Sequence, residues 1–599
     1  MNREEKKNNW IYFLLPLLGT VFTAGYILAA AEDVAYSDYI RLINSYLPDI
    51  WDPKKFFVAD IFTRMPVNFL ERIVNVSVFG YSTRFDMILG VLCLGASALV
   101  LSGYCKERRM GMGWYLLLMG VLFSLNKWEM LTNGTGWCHF LAFAGFYFHY
   151  RVFERVWRRG QFSWESGEME ESSPESEGKR ESFWEGEGKQ EPFWESRGGK
   201  KSSWESREME DVFWEGGRIK GVKKDSSRRE EIIEEERLAE KKKAAREKEI
   251  RKDKRDRRLL NVLPWAITLG TAGPYCGSYS AVLLLTYGIC FVLDRKREGK
   301  EKWDFRYLTY GFHVVCPLIL YLISNSFAVT EHAGTTGRTI GQVLGDNLSL
   351  FPKFVIKSLS SMVVGEEVMM EQLERLNMGM ALCYLAGALV LAGYLLALWM
   401  QLRERLYQVS VFPLMLIFAG GLNHLLVLAA RWIFENSSYG MSSRYALQYQ
   451  VGIFGIVLTF GLFYQVRQTR EQELRFLQRE GMGRQELGPL RRGNADVQDL
   501  RRLRQRKAKG SFWILLAKWA ALSISLAILA GNGYTTVKEL EKAPHRKAYG
   551  MKVAEAALNY REVADDELEA LFQYRHGPEK IRNALRILEE NGWNVYRGR

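Results

Sequence analysis

Apolar runs of roughly twenty residues recur along this chain of 599 residues, broken once, between Arg155 and Arg258, by a long charged and polar stretch. A helical run of that length matches the hydrocarbon thickness of a bilayer, and a helix satisfies its own backbone hydrogen bonds where no water can. The expected fold class is therefore all-α, a polytopic helical membrane protein with about eleven transmembrane helices. The expected crossings are Trp10–Ala31, Met87–Tyr104, Met112–Asn126, Cys138–Phe153, Leu259–Ala272, Ser278–Leu293, Phe305–Phe327, Met378–Met400, Val409–Phe434, Leu447–Val466 and Phe512–Ala530. The third to sixth are short or interrupted. Pro274, with Gly273 and Gly277 around it, breaks any single long helix there, leaving either an outer turn or a re-entrant bend.

Whole-chain composition conceals this class, because the charged insert dilutes the hydrophobic share to 48%. The net charge of +13 does not point to nucleic acid. Its basic residues flank apolar runs at Lys106–Arg109, Asp294–Arg297, Arg403–Arg405 and Arg467–Lys509, where they act as topology signals. These segments and the insert fall on one side, so the positive-inside rule predicts a multi-pass protein of the plasma membrane with a cytoplasmic amino terminus and an extracytoplasmic carboxyl terminus. The first run is too long for a cleaved signal core and is read as a retained helix, although Ala29-Ala30-Ala31 imitates a cleavage site. Seven cysteines lie in or beside apolar runs without metal spacing; buried, inert thiols are expected, with a Cys138–Cys276 bridge as the alternative.

Four regions follow: a first membrane half over 1–153 containing the outer loop 32–86, the insert over 154–258, a second membrane half over 259–531, and a small helical tail over 532–599. In the tail, Pro578 suits a first helical turn, Gly592 a stop, and Ile581, Leu585 and Leu588 share a face. The insert repeats Trp-Glu at Trp164, Trp184, Trp194, Trp204 and Trp214, among Glu, Ser, Gly and Lys. Such a segment lacks the apolar surface to offset its ordering entropy, and disorder is expected. It reads as a low-complexity expansion or as an arm docking a cytoplasmic partner. From Arg228 to Arg258 the composition favours a solvated helix, with pairs such as Glu247–Arg251, whose basic end suits anionic headgroups.

No phosphate-binding Gly-rich loop, nucleotide fingerprint or paired metal spacing is present, which directs attention to the outer loops. Asp33 and Asp38 follow the first helix at the rim of any cavity the helices enclose. Carboxylates there serve as a general base, hold a divalent cation, or simply flank the helix. Arg444 and Tyr445 enter a membrane helix beside hydroxyl residues. The pair suits bidentate capture of a phosphate or carboxylate, or interfacial anchoring. Asn133 and His332 are further polar candidates for substrate binding.

The acidic pair after helix one, the long amphipathic first loop, the late Arg-Tyr and about eleven crossings together resemble the GT-C class of membrane glycosyltransferases. A set of bacterial multi-pass proteins is also similar, through Asp60-Ile61-Phe62-Thr63-Arg64, Lys127-Trp128-Glu129-Met130-Leu131, Pro578–Arg582 and Asn591–Tyr596. The GT-C resemblance implies sugar transfer from a polyprenyl-phosphate donor to a glycan acceptor on the outer face, in cell-envelope glycan assembly. It implies Asp33 as base, with Asp38 second. A transporter or flippase for a lipid-linked or small solute, and a non-catalytic envelope-assembly scaffold, are the alternatives.

Overall fold

A computed structural model describes residues 10–57, 66–165, 222–298, 305–326, 336–479 and 494–598. His332 and the Trp-Glu repeat beyond Trp164 lie outside the described residues.

The chain is an all-α polytopic membrane protein, and no strand occurs among the described residues. Its helices include α1 (Ile11–Ala30), α2 (Asp38–Tyr46), α3 (Pro66–Phe79), α4 (Thr83–Glu107), α5 (Met112–Leu122), α6 (Trp128–Thr132), α7 (Trp137–Glu165) and α8 (Val222–Gly270). There follow α9 (Cys276–Glu298), α10 (Phe305–Asn325), α11 (Leu350–Ser360), α12 (Glu366–Arg375), α13 (Ala381–Arg403) and α14 (Phe412–Arg431). The last four are α15 (Ala446–Arg479), α16 (Asn494–Leu558), α17 (Asp565–Phe572) and α18 (Pro578–Glu590).

Eight helices among the described residues are long and apolar enough to cross a bilayer: Ile11–Ala30, Thr83–Glu107, Gly273–Lys296, Phe305–Asn325, Ala381–Arg403, Phe412–Phe434, Ser443–Gln472 and Trp513–Leu558. The other three expected crossings are helical but differ for physical reasons. Helix α5 has 11 residues and rises only about 16 Å, half the hydrocarbon thickness. Helix α7 carries Arg151 and Glu154, both buried, within its apolar stretch. The apolar part of α8 is the last few turns of a 49-residue charged helix. Pro274 sits in a single 3-10 turn, Gly273–Tyr275, leading directly into α9.

Helix α15 is the central element, its apolar window wholly enclosed by protein, and it packs most extensively on α14. Helices α1 and α4 form a second close pair, and α11 packs on α13. At one end of the bundle, Arg108 pairs with Glu154, Arg151 with Glu107 at 2.6 Å, and Arg467 with Glu404. The opposite end, here termed the crown, has its own core. Val34, Tyr39, Ile43, Val553, Phe572, Ile581, Leu585 and Leu588 are buried together, so the carboxyl-terminal helices α17 and α18 pack on the first loop. The tail does not begin at a break: α16 runs without interruption through residue 532.

All seven cysteines are free, so Cys138 and Cys276 are not bridged. The described residues between 156 and 257 form a separate unit, in which Arg159 meets Asp256 at 2.9 Å and Glu247 pairs with Arg251 at 3.7 Å.

Candidate functional site in the crown

Asp33 and Asp38 are placed differently. The Asp33 carboxylate accepts from the backbone N–H groups of Thr83 at 2.7 Å and Arg84 at 3.2 Å, and from the hydroxyls of Ser82 at 2.6 Å and Thr83 at 2.9 Å. These donors form the amino-terminal turn of α4, where a carboxylate satisfies orphan N–H groups and opposes the helix dipole. Asn594 locks the same junction from the tail. Its side chain accepts from Ala35 N–H at 3.0 Å and donates to the Tyr81 carbonyl at 3.0 Å.

Asp38 opens α2 and keeps a looser environment, 3.9 Å from Arg41 and 4.0 Å from Arg444. Arg444 is clamped from another direction: its Nε donates to Glu129, whose second carboxylate oxygen accepts from the Ser443 hydroxyl at 2.9 Å. Glu129 thus ties the short helix α6 to the turn that begins α15. The segment preceding α6 is braced by Lys127, which is fully buried and donates to the carbonyls of Leu122 at 2.7 Å and Ser124 at 2.9 Å and to Gln450 at 3.1 Å. Burial lowers the Lys127 amine to about 7. Close approach of the next turn depends on Gly134, where a Cβ would fall 2.0 Å from the Tyr39 hydroxyl. Asn133 caps that turn by accepting from the Thr135 backbone at 3.2 Å and hydroxyl at 2.7 Å.

Two cavities share Glu129, Asn133 and Arg444 as common lining. The larger, about 530 Å³, has Asp38, Arg41, Arg431, Tyr445 and Gln448 on its polar side. Leu426, Val427, Ala429, Ala430 and Ile433, at the end of the α14 span, make its apolar wall. Gln448 is 2% exposed, and its side-chain oxygen has no hydrogen-bond partner among the described residues. The smaller cavity, about 400 Å³, is lined by Glu32, Tyr36, Trp128, Glu367, Lys542, Arg546 and Tyr549 among others. Arg546 lies over the Trp128 ring, 3.1 Å from its centroid, and donates to Glu367 at 2.8 Å and to Glu539 at 2.6 Å. Nearby, Glu366 at the start of α12 is pushed up to about 7, first by burial and then by Glu129 and Glu367. Burial also pushes the Tyr36 hydroxyl up to about 12.

Of the residues singled out in the sequence, the structure brings Asp38, Asn133, Arg444 and Tyr445 to one cavity, while Asp33 lines neither. Sequence reasoning did not identify Glu129, Glu367, Lys542 or Arg546 as site residues. Glu129 carried a signal, a lone carboxylate between apolar neighbours; the other three lie in ordinary charged stretches. Among the described residues, no three His, Cys, Asp or Glu side chains converge to hold a metal ion. Asp38 and Glu129, the carboxylates lining the larger cavity, both face the Arg444 guanidinium.

Comparison with protein-family models, with curated proteins and with solved structures gives no match to any of the three.

Proposed function

We propose that this protein is a membrane glycosyltransferase of GT-C type, moving a sugar from a polyprenyl-phosphate donor to an acceptor hydroxyl in the crown, on the extracytoplasmic face. The observation that carries the reading is the pair of adjoining cavities sharing Arg444 and Glu129, one of them apolar where α14 ends and cationic above. A lipid phosphate needs that combination: an apolar wall for the chain and a planar guanidinium for the phosphate oxygens. The Gln448 oxygen, without a partner among the described residues, adds an acceptor for a sugar hydroxyl.

In the proposed step, the acceptor oxygen attacks the anomeric carbon and the bond from that carbon to the phosphate oxygen breaks. The hydroxyl proton passes to the Asp38 carboxylate. The lipid phosphate leaves with the electron pair, its charge held by Arg444 and Arg431. Asp38 suits the base because its ion pairs are long and its lone pairs remain available, whereas Glu129 is occupied in holding Arg444 and Asp33 in capping α4. Orientation follows from charge: Arg108, Arg403, Arg405, Arg467 and Lys518 gather at the far end, so the positive-inside rule puts that end in the cytoplasm.

The test compares sugar-lipid consumption by protein reconstituted in vesicles. Asp38→Asn is expected to lower transfer by roughly 10²- to 10⁴-fold, and Arg444→Lys by about tenfold or more, each with unchanged insertion. Full activity of Asp38→Asn would overturn the mechanism.

A further inference from the structure

The two cavities differ in charge, and the difference specifies what each can receive. The 530 Å³ cavity sets Arg41, Arg431 and Arg444 against Asp38 and Glu129, an excess of cation. The 400 Å³ chamber sets Glu32, Glu129 and Glu367 against Arg444, Lys542 and Arg546, with His545 on the same wall. Its cations are moreover already engaged. Arg444 is paired with Glu129, Arg546 with Glu367 and Glu539, and Lys542 with Glu367 at 3.3 Å and Glu371 at 3.6 Å. An incoming phosphate or uronate would have to displace a resident carboxylate to reach Lys542 or Arg546, and would lie beside that carboxylate afterwards, while Arg444, which turns its Nε to Glu129, is the cation the chamber shares with the larger cavity. Hydroxyl groups face no such obstacle. Each carboxylate oxygen keeps lone pairs beyond those its ion pair uses, and a sugar hydroxyl both donates and accepts.

The rest of the lining agrees with this. Tyr36 and Tyr549 meet edge to face, with ring centroids 6.3 Å apart, and present an aromatic corner to the chamber. Gln573, from the carboxyl-terminal tail, lines the same side and donates to the Tyr549 hydroxyl at 3.2 Å. The volume lies within the roughly 300–1,000 Å³ of small-ligand pockets.

We infer that the 400 Å³ chamber is the acceptor site and that it takes a neutral or zwitterionic glycan, excluding anionic ones through its saturated ion pairs. The inference rests on the transferase reading for the word acceptor, but the chamber's preference is measurable without turnover. The full chain in phosphatidylcholine nanodiscs would be titrated with neutral hexose and N-acetylhexosamine disaccharides and with matched uronic acid disaccharides, followed by saturation-transfer NMR. The expected result is at least tenfold tighter binding of neutral sugars, weakened at least fivefold by Tyr549→Ala. Glu367→Gln, which uncovers Arg546 and Lys542 on a half-exposed rim, should narrow or invert the preference, and it keeps the test open if Tyr549→Ala does not fold. Equal or tighter binding of the uronic acids, no binding of either class, or indifference to Glu367→Gln would overturn the inference. Neutral-sugar binding that follows these variants without any transfer from a lipid-phosphate donor would instead sink the transferase reading and leave the chamber's specificity standing.

Discussion

Asp33 and Asp38 look interchangeable in the sequence, two acidic residues just past an apolar helix, yet their carboxylates answer to different neighbours. Asp33 takes hydrogen bonds from residues 49 to 51 positions ahead, while Asn594 closes the same junction from 559 positions away through Ala35. No local pattern contains those partners, which is why position along the chain could not separate the capping carboxylate of Asp33 from the loosely paired one of Asp38. Asp33→Asn replaces an acceptor with a donor facing the N–H groups of Thr83 and Arg84. It should destabilise the protein by about 1–3 kcal/mol, seen as a lower midpoint in thermal unfolding, whereas Asp38→Asn should leave that midpoint nearly unchanged. Arg444 was legible for a firmer reason: an arginine among hydroxyl residues at the mouth of an apolar helix has to find a partner. That the partner is Glu129 required the fold.

At the level of elements, long apolar runs were readable because a bilayer imposes one length and one polarity on them. Where the sequence was ambiguous the structure departs, in α5, α7 and α8, because each is shortened or penetrated by charge that burial within protein tolerates. The short helices of the crown carry no such signature; α6 has five residues and is held by Lys127, by Glu129, by Arg546 over the Trp128 ring and by the close approach at Gly134. Helix α12 offers a test of how these pieces are held. Glu366 ordinarily titrates near 4.5 and is pushed up to about 7 here. The folded protein therefore binds a proton that the unfolded chain has released, so the carboxyl's contribution is fully present below about pH 4.5 and is lost as pH rises through about 7. Thermal midpoints measured from pH 4.5 to 8 should fall across that window in the native chain, and Glu366→Gln should flatten the decline.

For the molecule as a whole, the proposed topology rests on the basic residues that flank the spans at the end opposite the crown. A cysteine introduced at the exposed Asp566 should react with an impermeant thiol reagent in intact cells, while one at the exposed Glu247 should react only after permeabilisation; the opposite pattern would reverse the proposed orientation.

The interlock of Asn594 with Ala35 and Tyr81 has a consequence in time. A ribosome delivers this chain from its amino terminus, so the first loop reaches its compartment long before the residues that fasten it. Residue 594 follows Ala35 by 559 positions. The first loop can therefore be fastened only once residue 594 has been made, and a product truncated before it carries the lipid-facing helices with that junction open. Assembly order alone thus leaves the crown unfastened in any chain cut short before residue 594.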